Sequence, residues 1–228
     1  SSNWKRNTVL FLASQTISLL GSSLVQFAIT WHIALETRSG LIMTLSIICG
    51  YAPNLLLSPF AGVWADRYNR KMLMIVSDAL IALSTLVMAI VFMMGYGSVW
   101  MLLVVSAVCS FGTSIQTPAV SAFLPQIVPT EKLTRVNAAN QTIMSVMMLL
   151  SPVVSGALLS VSPIGSIFFI DVITAIIAIA ILLFFLHVPA HARAMEKQKT
   201  TYFADLRGGL MYISQHRFLK AFFLFLAI

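Results

Sequence analysis

Charged residues make up only 9% of this chain, and only seven of them are acidic. A soluble domain is nearer half apolar, with about a quarter of its residues charged. Here 59% of residues are hydrophobic and the mean hydropathy is +0.93. A soluble fold could not hide that much apolar surface, so the bilayer is the expected solvent. Cysteine is as sparse as charge. Cys49 and Cys109 each lie inside an apolar run, which argues against a disulfide framework, and no Cys/His spacing suggests a zinc site. Enzyme signatures are missing too. There is no Ser/His/Asp set, no phosphate-cradling Gly loop ending in Lys-Ser/Thr and no His-Glu-x-x-His. No enzymatic activity, metal or cofactor is therefore expected, and ATP hydrolysis would have to come from another chain. The excess of 14 Lys and Arg over seven Asp and Glu reads as membrane topology rather than as a nucleic-acid surface.

What the chain has is long apolar runs. A spanning helix needs about 20 apolar residues, and six runs qualify: 8–35, 41–63, 72–94, 99–124, 137–160 and 166–187. The first is too long for a signal peptide and lacks a small-residue cleavage site. Tight turns are expected at 95–98 and 162–165, and a polar connector at 125–135. A charged connector covers 188–220, where Phe203, Leu206, Leu210 and Ile213 follow a helical period. That pattern predicts an amphipathic helix on the inner membrane surface; a soluble linker is the plainer alternative. Residues 221–228 read as the opening of a seventh span. With the N-terminus in the cytoplasm, thirteen of the fourteen Lys and Arg residues fall inside and only Arg38 falls outside. The expectation is a multi-pass protein of the cell membrane with a cytoplasmic N-terminus.

Polar groups in hydrocarbon are costly, about 2.5–3.5 kcal/mol for a charge at the centre of a helix. In the first run Ser14, Ser18, Ser22, Gln26 and Thr30 recur every four residues, so they share one broad face. The three serines read mainly as helix packing; Gln26 reads equally as packing or as the lining of a cavity. Asp78 and Asp171 could each bind a proton or a cationic substrate, or simply make helix-to-helix hydrogen bonds. Asp78 could also pair with the basic stretch just before it. Pro152 and Gly156 in the fifth run suggest a kinked helix that approaches its neighbours closely.

Between the second and third runs lies Gly62-Val63-Trp64-Ala65-Asp66-Arg67-Tyr68-Asn69-Arg70-Lys71, which concentrates charge in a chain that otherwise avoids it. Its G-x-x-x-D-R-x-x-R-K pattern, on the cytoplasmic side between two spans, resembles the signature loop of the major facilitator superfamily. The resemblance implies an all-α membrane protein: the six-helix N-terminal half of a major facilitator superfamily fold plus the start of a seventh transmembrane helix. It implies that Asp66 and Arg70, flanked by Arg67 and Lys71, hold the outward-facing state through contacts between the two halves, and that Gly62 lets helices approach closely. Further stretches resemble the drug:proton antiporter branch that includes macrolide-efflux proteins: Gln15-x-x-Ser18-Leu19, Asp66-Arg67-x-x-Arg70-Lys71 with Asp78, Thr117-Pro118-Ala119, and Val128-Pro129-x-Glu131-x-Leu133-Thr134. Ser151-Pro152 with Gly156 is similar to the exporter motif of the fifth helix, with Ser in place of its usual Gly. Where related exporters carry an Arg in the fourth helix, this chain has Cys109.

The resemblance implies a secondary exporter of lipophilic or amphipathic compounds such as macrolides, worked by proton-coupled alternating access. Its partners would be a small-molecule substrate, protons, the lipid bilayer and either a missing C-terminal half or a second copy; no nucleic acid is expected. Export of a siderophore or another metabolite is the alternative within the fold. A non-transporting membrane protein, or a truncated inactive half, is the alternative outside it. The chain reads as about half of a longer protein.

Overall fold

The computed structural model describes residues 4–186. They form six long helices: α1 (Trp4–Thr37), α2 (Gly40–Arg67), α3 (Arg70–Met93), α4 (Val99–Ile127), α5 (Thr130–Val161) and α6 (Ile164–Ala180), the last continued by a π-helical turn (Ile181–Phe185). There are no strands among the described residues. All six helices are long and apolar enough to cross a membrane. The amphipathic helix expected at 188–220 and the seventh span at 221–228 lie outside the described residues.

The helices overrun the apolar stretches of the sequence at most ends. At 1.5 Å per residue, the 34 residues of α1 exceed the roughly 30 Å hydrocarbon core. The connector expected at 125–135 shrinks to Val128 and Pro129. Pro125 stays within α4, and α5 begins at Thr130 with Glu131 in its first turn, where a carboxylate suits the helix dipole. The charged stretch 62–71 is likewise mostly helix. Gly62 to Arg67 finish α2, Arg70 and Lys71 start α3, and only Tyr68 and Asn69 turn between them. Asn69 makes the turn short because its side chain accepts from the Lys71 and Met72 amides at 3.0 and 3.4 Å, the bonds of an N-cap.

Short connections force neighbouring helices to alternate in direction. The starts of α1, α3 and α5 and the ends of α2, α4 and the sixth span thus share one end of the bundle. This basic end carries Lys5, Arg6, Arg67, Arg70, Lys71, Lys132 and Arg135. In the bundle α1 packs on α5 and α6, α4 on α2 and α3, and α3 on α6. At Gly21 α1 meets α6 so closely that a Cβ would overlap Thr174 Oγ1 and lie 2.9 Å from Asp171 Cα.

The apolar core comes in two parts. Phe11, Met74, Phe123, Leu124 and Leu182 form one at the basic end. Ile29, Ile33, Met88, Leu102, Ile167 and Phe168 belong to the other, at the far end. On α1, α3, α4 and α6 buried polar residues lie between these clusters: Ser14 and Ser18, Ser77 and Asp78, Ser110 and Ser114, and Asp171. The bundle therefore encloses a polar layer between two apolar plugs.

Candidate functional site

The polar layer is built around α1. Ser18 Oγ donates to Asp78 Oδ1 at 2.6 Å, and Gln116 Nε2 of α4 donates to the same oxygen at 2.8 Å. One turn further along α1, Ser22 Oγ donates to Asp171 Oδ1 at 3.0 Å, while Thr85 Oγ1 of α3 donates to Asp171 Oδ2 at 2.9 Å. Ser18 and Ser22 are about 6 Å apart along the axis, so two carboxylates from different helices sit on adjacent turns of a third. Both aspartates are 1% exposed. Both oxygens of Asp171 are satisfied. Among the described residues nothing donates to Asp78 Oδ2, and neither aspartate has a cationic partner there.

Pairing of Asp78 with the basic stretch does not occur. Asp78 lies eight residues into α3 from Arg70, about 12 Å along the axis, and its oxygen faces α1 and α4 instead. Ser18 and Ser22, read from the sequence mainly as packing, supply specific donors. Gln26 is half-buried, and its Nε2 donates to Ser106 Oγ of α4 at 3.1 Å. Gly50 of α2 makes room for it, since a Cβ there would be 2.8 Å from Gln26 Nε2. Thr85, Gln116 and Ser106 escaped the sequence reading, as did the room that Gly50 makes for Gln26. The cost of polar groups in hydrocarbon, applied to α3 and α4 as it was to α1, would have raised the first three.

The basic end holds a second cluster. Arg70 Nε donates to the Ala65 carbonyl at 3.0 Å and Nη1 to the Ala122 carbonyl at 2.8 Å. Lys71 Nζ donates to the Leu186 carbonyl at 2.7 Å. These acceptors lie near the C-terminal ends of α2, α4 and the sixth span. Helix C-termini present unpaired carbonyls and the negative end of the dipole, so cations are favoured there twice over. Arg70 Nη2 also approaches Asp66 Oδ1 at 3.8 Å, with the Asp66 side chain 55% exposed and that of Arg70 16% exposed. Arg67 is half-buried beside them. A Cβ at Gly62 would meet nothing within 4 Å, so the close approach expected there is not made among the described residues.

On α5, Pro152 and Gly156 face α1. Trp31 Nε1 donates to the Pro152 carbonyl at 3.3 Å, and Gly156 lies at ordinary contact distance from the same indole. Ser155 Oγ donates to the Leu24 carbonyl at 2.7 Å. Cys109 is buried in α4 with its Sγ 4.0 Å from Ser84 Oγ.

An inward polar layer inside six apolar helices, with cations on helix C-termini at one end, accords with a transport fold. Over residues 11–228 the sequence matches the Major Facilitator Superfamily. The chain belongs to this superfamily. It is a multi-pass membrane protein, and among its relatives are macrolide efflux proteins. Macrolide efflux protein A of Streptococcus pyogenes is 31% identical over 222 residues, covering 97% of this chain and 55% of the relative. The Enterococcus faecalis protein of the same name is 31% identical over 186 residues, 82% of this chain and 57% of the relative. The Staphyloferrin A transporter of Staphylococcus aureus is 23% identical over 180 residues, 77% and 45% respectively. This superfamily member thus spans about half the length of the curated relatives it matches.

Proposed function

We propose that the chain forms the N-terminal half of a secondary exporter of lipophilic or amphipathic compounds such as macrolides, driven by protons in alternating access. The two six-helix halves rock about a central site, in a cell membrane and with the N-terminus in the cytoplasm. Lys and Arg crowding at one end of the bundle supports that orientation. The 31% identity to macrolide efflux proteins supports the substrate class.

One observation carries the coupling. Asp78 is a buried carboxyl with one oxygen unpartnered and no cation beside it among the described residues. A lone buried charge is expensive, and a proton is the smallest group that neutralises it. Asp78 is the proton-carrying residue of this half. Asp171, held by Ser22 and Thr85, orients the layer. Asp66 and Arg70 with Gly62, Arg67 and Lys71 form the latch toward the other half, and Pro152 with Gly156 is the bend of α5 that moves. The test is macrolide transport by the full-length protein in proteoliposomes under an imposed pH gradient. Gradient-driven movement is expected in the wild type and not in Asp78→Asn; equal movement in both sinks the coupling role.

Similarity to the Staphyloferrin A transporter favours a second reading, export of a siderophore or related metabolite. Comparing a macrolide with a ferric chelator in the same vesicles separates the two.

A further inference from the structure

At the basic end, the first turns of α1 and α5 enclose a cleft of about 320 Å³. Three cationic residues line it, Lys5 from α1 and Lys132 and Arg135 from α5, chiefly with their carbon stems. All three side chains are exposed. Glu131, the acidic residue in the first turn of α5, is not among the lining residues. Both helices begin here, so both add the positive end of their dipoles. Trp4 forms one wall, with Lys5 Nζ 5.9 Å from its ring centroid. Leu12 and Val136 form the apolar part. Leu12 lies seven residues beyond Lys5, about 10 Å along the axis. Exposed charged ends thus rim a cleft whose lining is apolar, the pairing that a headgroup joined to hydrocarbon requires. Trp at such a rim suits the membrane interface.

We propose that this cleft binds an anionic phospholipid from the leaflet at the basic end. Lys5, Lys132 and Arg135 hold the phosphodiester, and Leu12 and Val136 take the first methylenes of an acyl chain. A free phosphate would use the cations and leave the apolar lining unused, whereas a zwitterionic lipid brings its own cation and gains little from three more. Neither the polar layer nor the latch takes part, so this site stands whether or not the chain exports macrolides.

The test uses the full chain in vesicles of phosphatidylcholine with a minority of phosphatidylglycerol, followed by native mass spectrometry of the released protein. The wild type is expected to retain phosphatidylglycerol. The triple variant K5Q/K132Q/R135Q should retain at least about tenfold less, given the strength of basic residues at anionic membranes. A control variant, R6Q/R38Q, removes two cations outside the cleft and should retain lipid like the wild type. Circular dichroism checks that all three are folded. Equal retention by the triple variant overturns the proposal, as does an equal loss in the control, which would mean unspecific attraction. Displacement of the lipid by millimolar inorganic phosphate also overturns it, assigning the cleft to a free anion.

Discussion

Ser18 and Asp78 are joined by a 2.6 Å hydrogen bond across 60 positions of sequence. It is the shortest of the bonds that tie α1 to the two buried carboxyls. Ser18→Ala would leave Asp78 with Gln116 alone. Hydrogen bonds between membrane helices average about 0.6 kcal/mol, and a charged acceptor raises this, so a loss of about 1 kcal/mol is expected. Thermal unfolding in detergent reads it.

Asp78 and Asp171 should separate on mutation. Asp171→Asn puts an amide where Ser22 and Thr85 both donate. One of the two hydroxyls must then turn to accept from the NH2 group, giving up a bond to a carboxylate at a cost of about 1 kcal/mol. Asp78 has a free oxygen, and the NH2 group of Asp78→Asn can take that side. Asp78→Asn is therefore expected to be the better folded of the two and the worse transporter. Denaturation midpoints and gradient-driven uptake, measured on both variants, check the reversal.

The proposed latch predicts a split between stability and transport. The Asp66–Arg70 contact is long and Asp66 is half exposed, so Asp66→Asn should cost under about 1 kcal/mol once solvent screening is counted. Efflux should nevertheless be lost, with the protein still inserted at wild-type levels. Arg70→Ala removes two bonds to helix-end carbonyls and should cost about 1–3 kcal/mol. Immunoblots of membrane fractions alongside efflux assays distinguish these outcomes.

Two glycines should behave oppositely. Gly21→Ala forces a Cβ onto Thr174 and the backbone of Asp171, and backbone cannot yield as a flexible side chain can. A loss of about 1–3 kcal/mol is expected from overpacking. Gly62→Ala meets open space and should change stability by less than about 0.5 kcal/mol. If Gly62 serves the contact with the other half, this variant loses efflux all the same. Melting curves and efflux of both variants test the pair.

The stretch 62–71 shows how far sequence reaches. Its pattern and its place between two apolar runs were enough to suggest the superfamily. They did not reveal that Arg70 would reach the Ala122 carbonyl of α4, or Lys71 the Leu186 carbonyl. Those acceptors are backbone atoms, and any residue type offers them. The serine repeat of α1 was visible as a face, but the same spacing would suit one partner helix or several. Ser18 meets α3, Ser22 meets α6, and Gln26 meets α4.

The sequence by itself determined the solvent, the helical class and the six spans, because these follow from summed transfer energies along the chain. Transfer energy is a property of composition and needs no knowledge of neighbours. Only the tertiary structure decided which carboxyl oxygen goes unpartnered, which cation caps which helix, and that Lys5 and Lys132 share a cleft. Those depend on how each helix is rotated and where it crosses the next. That choice is made by packing between residues far apart in sequence, with Gly21, Gly50 and Gly112 at close approaches between helices.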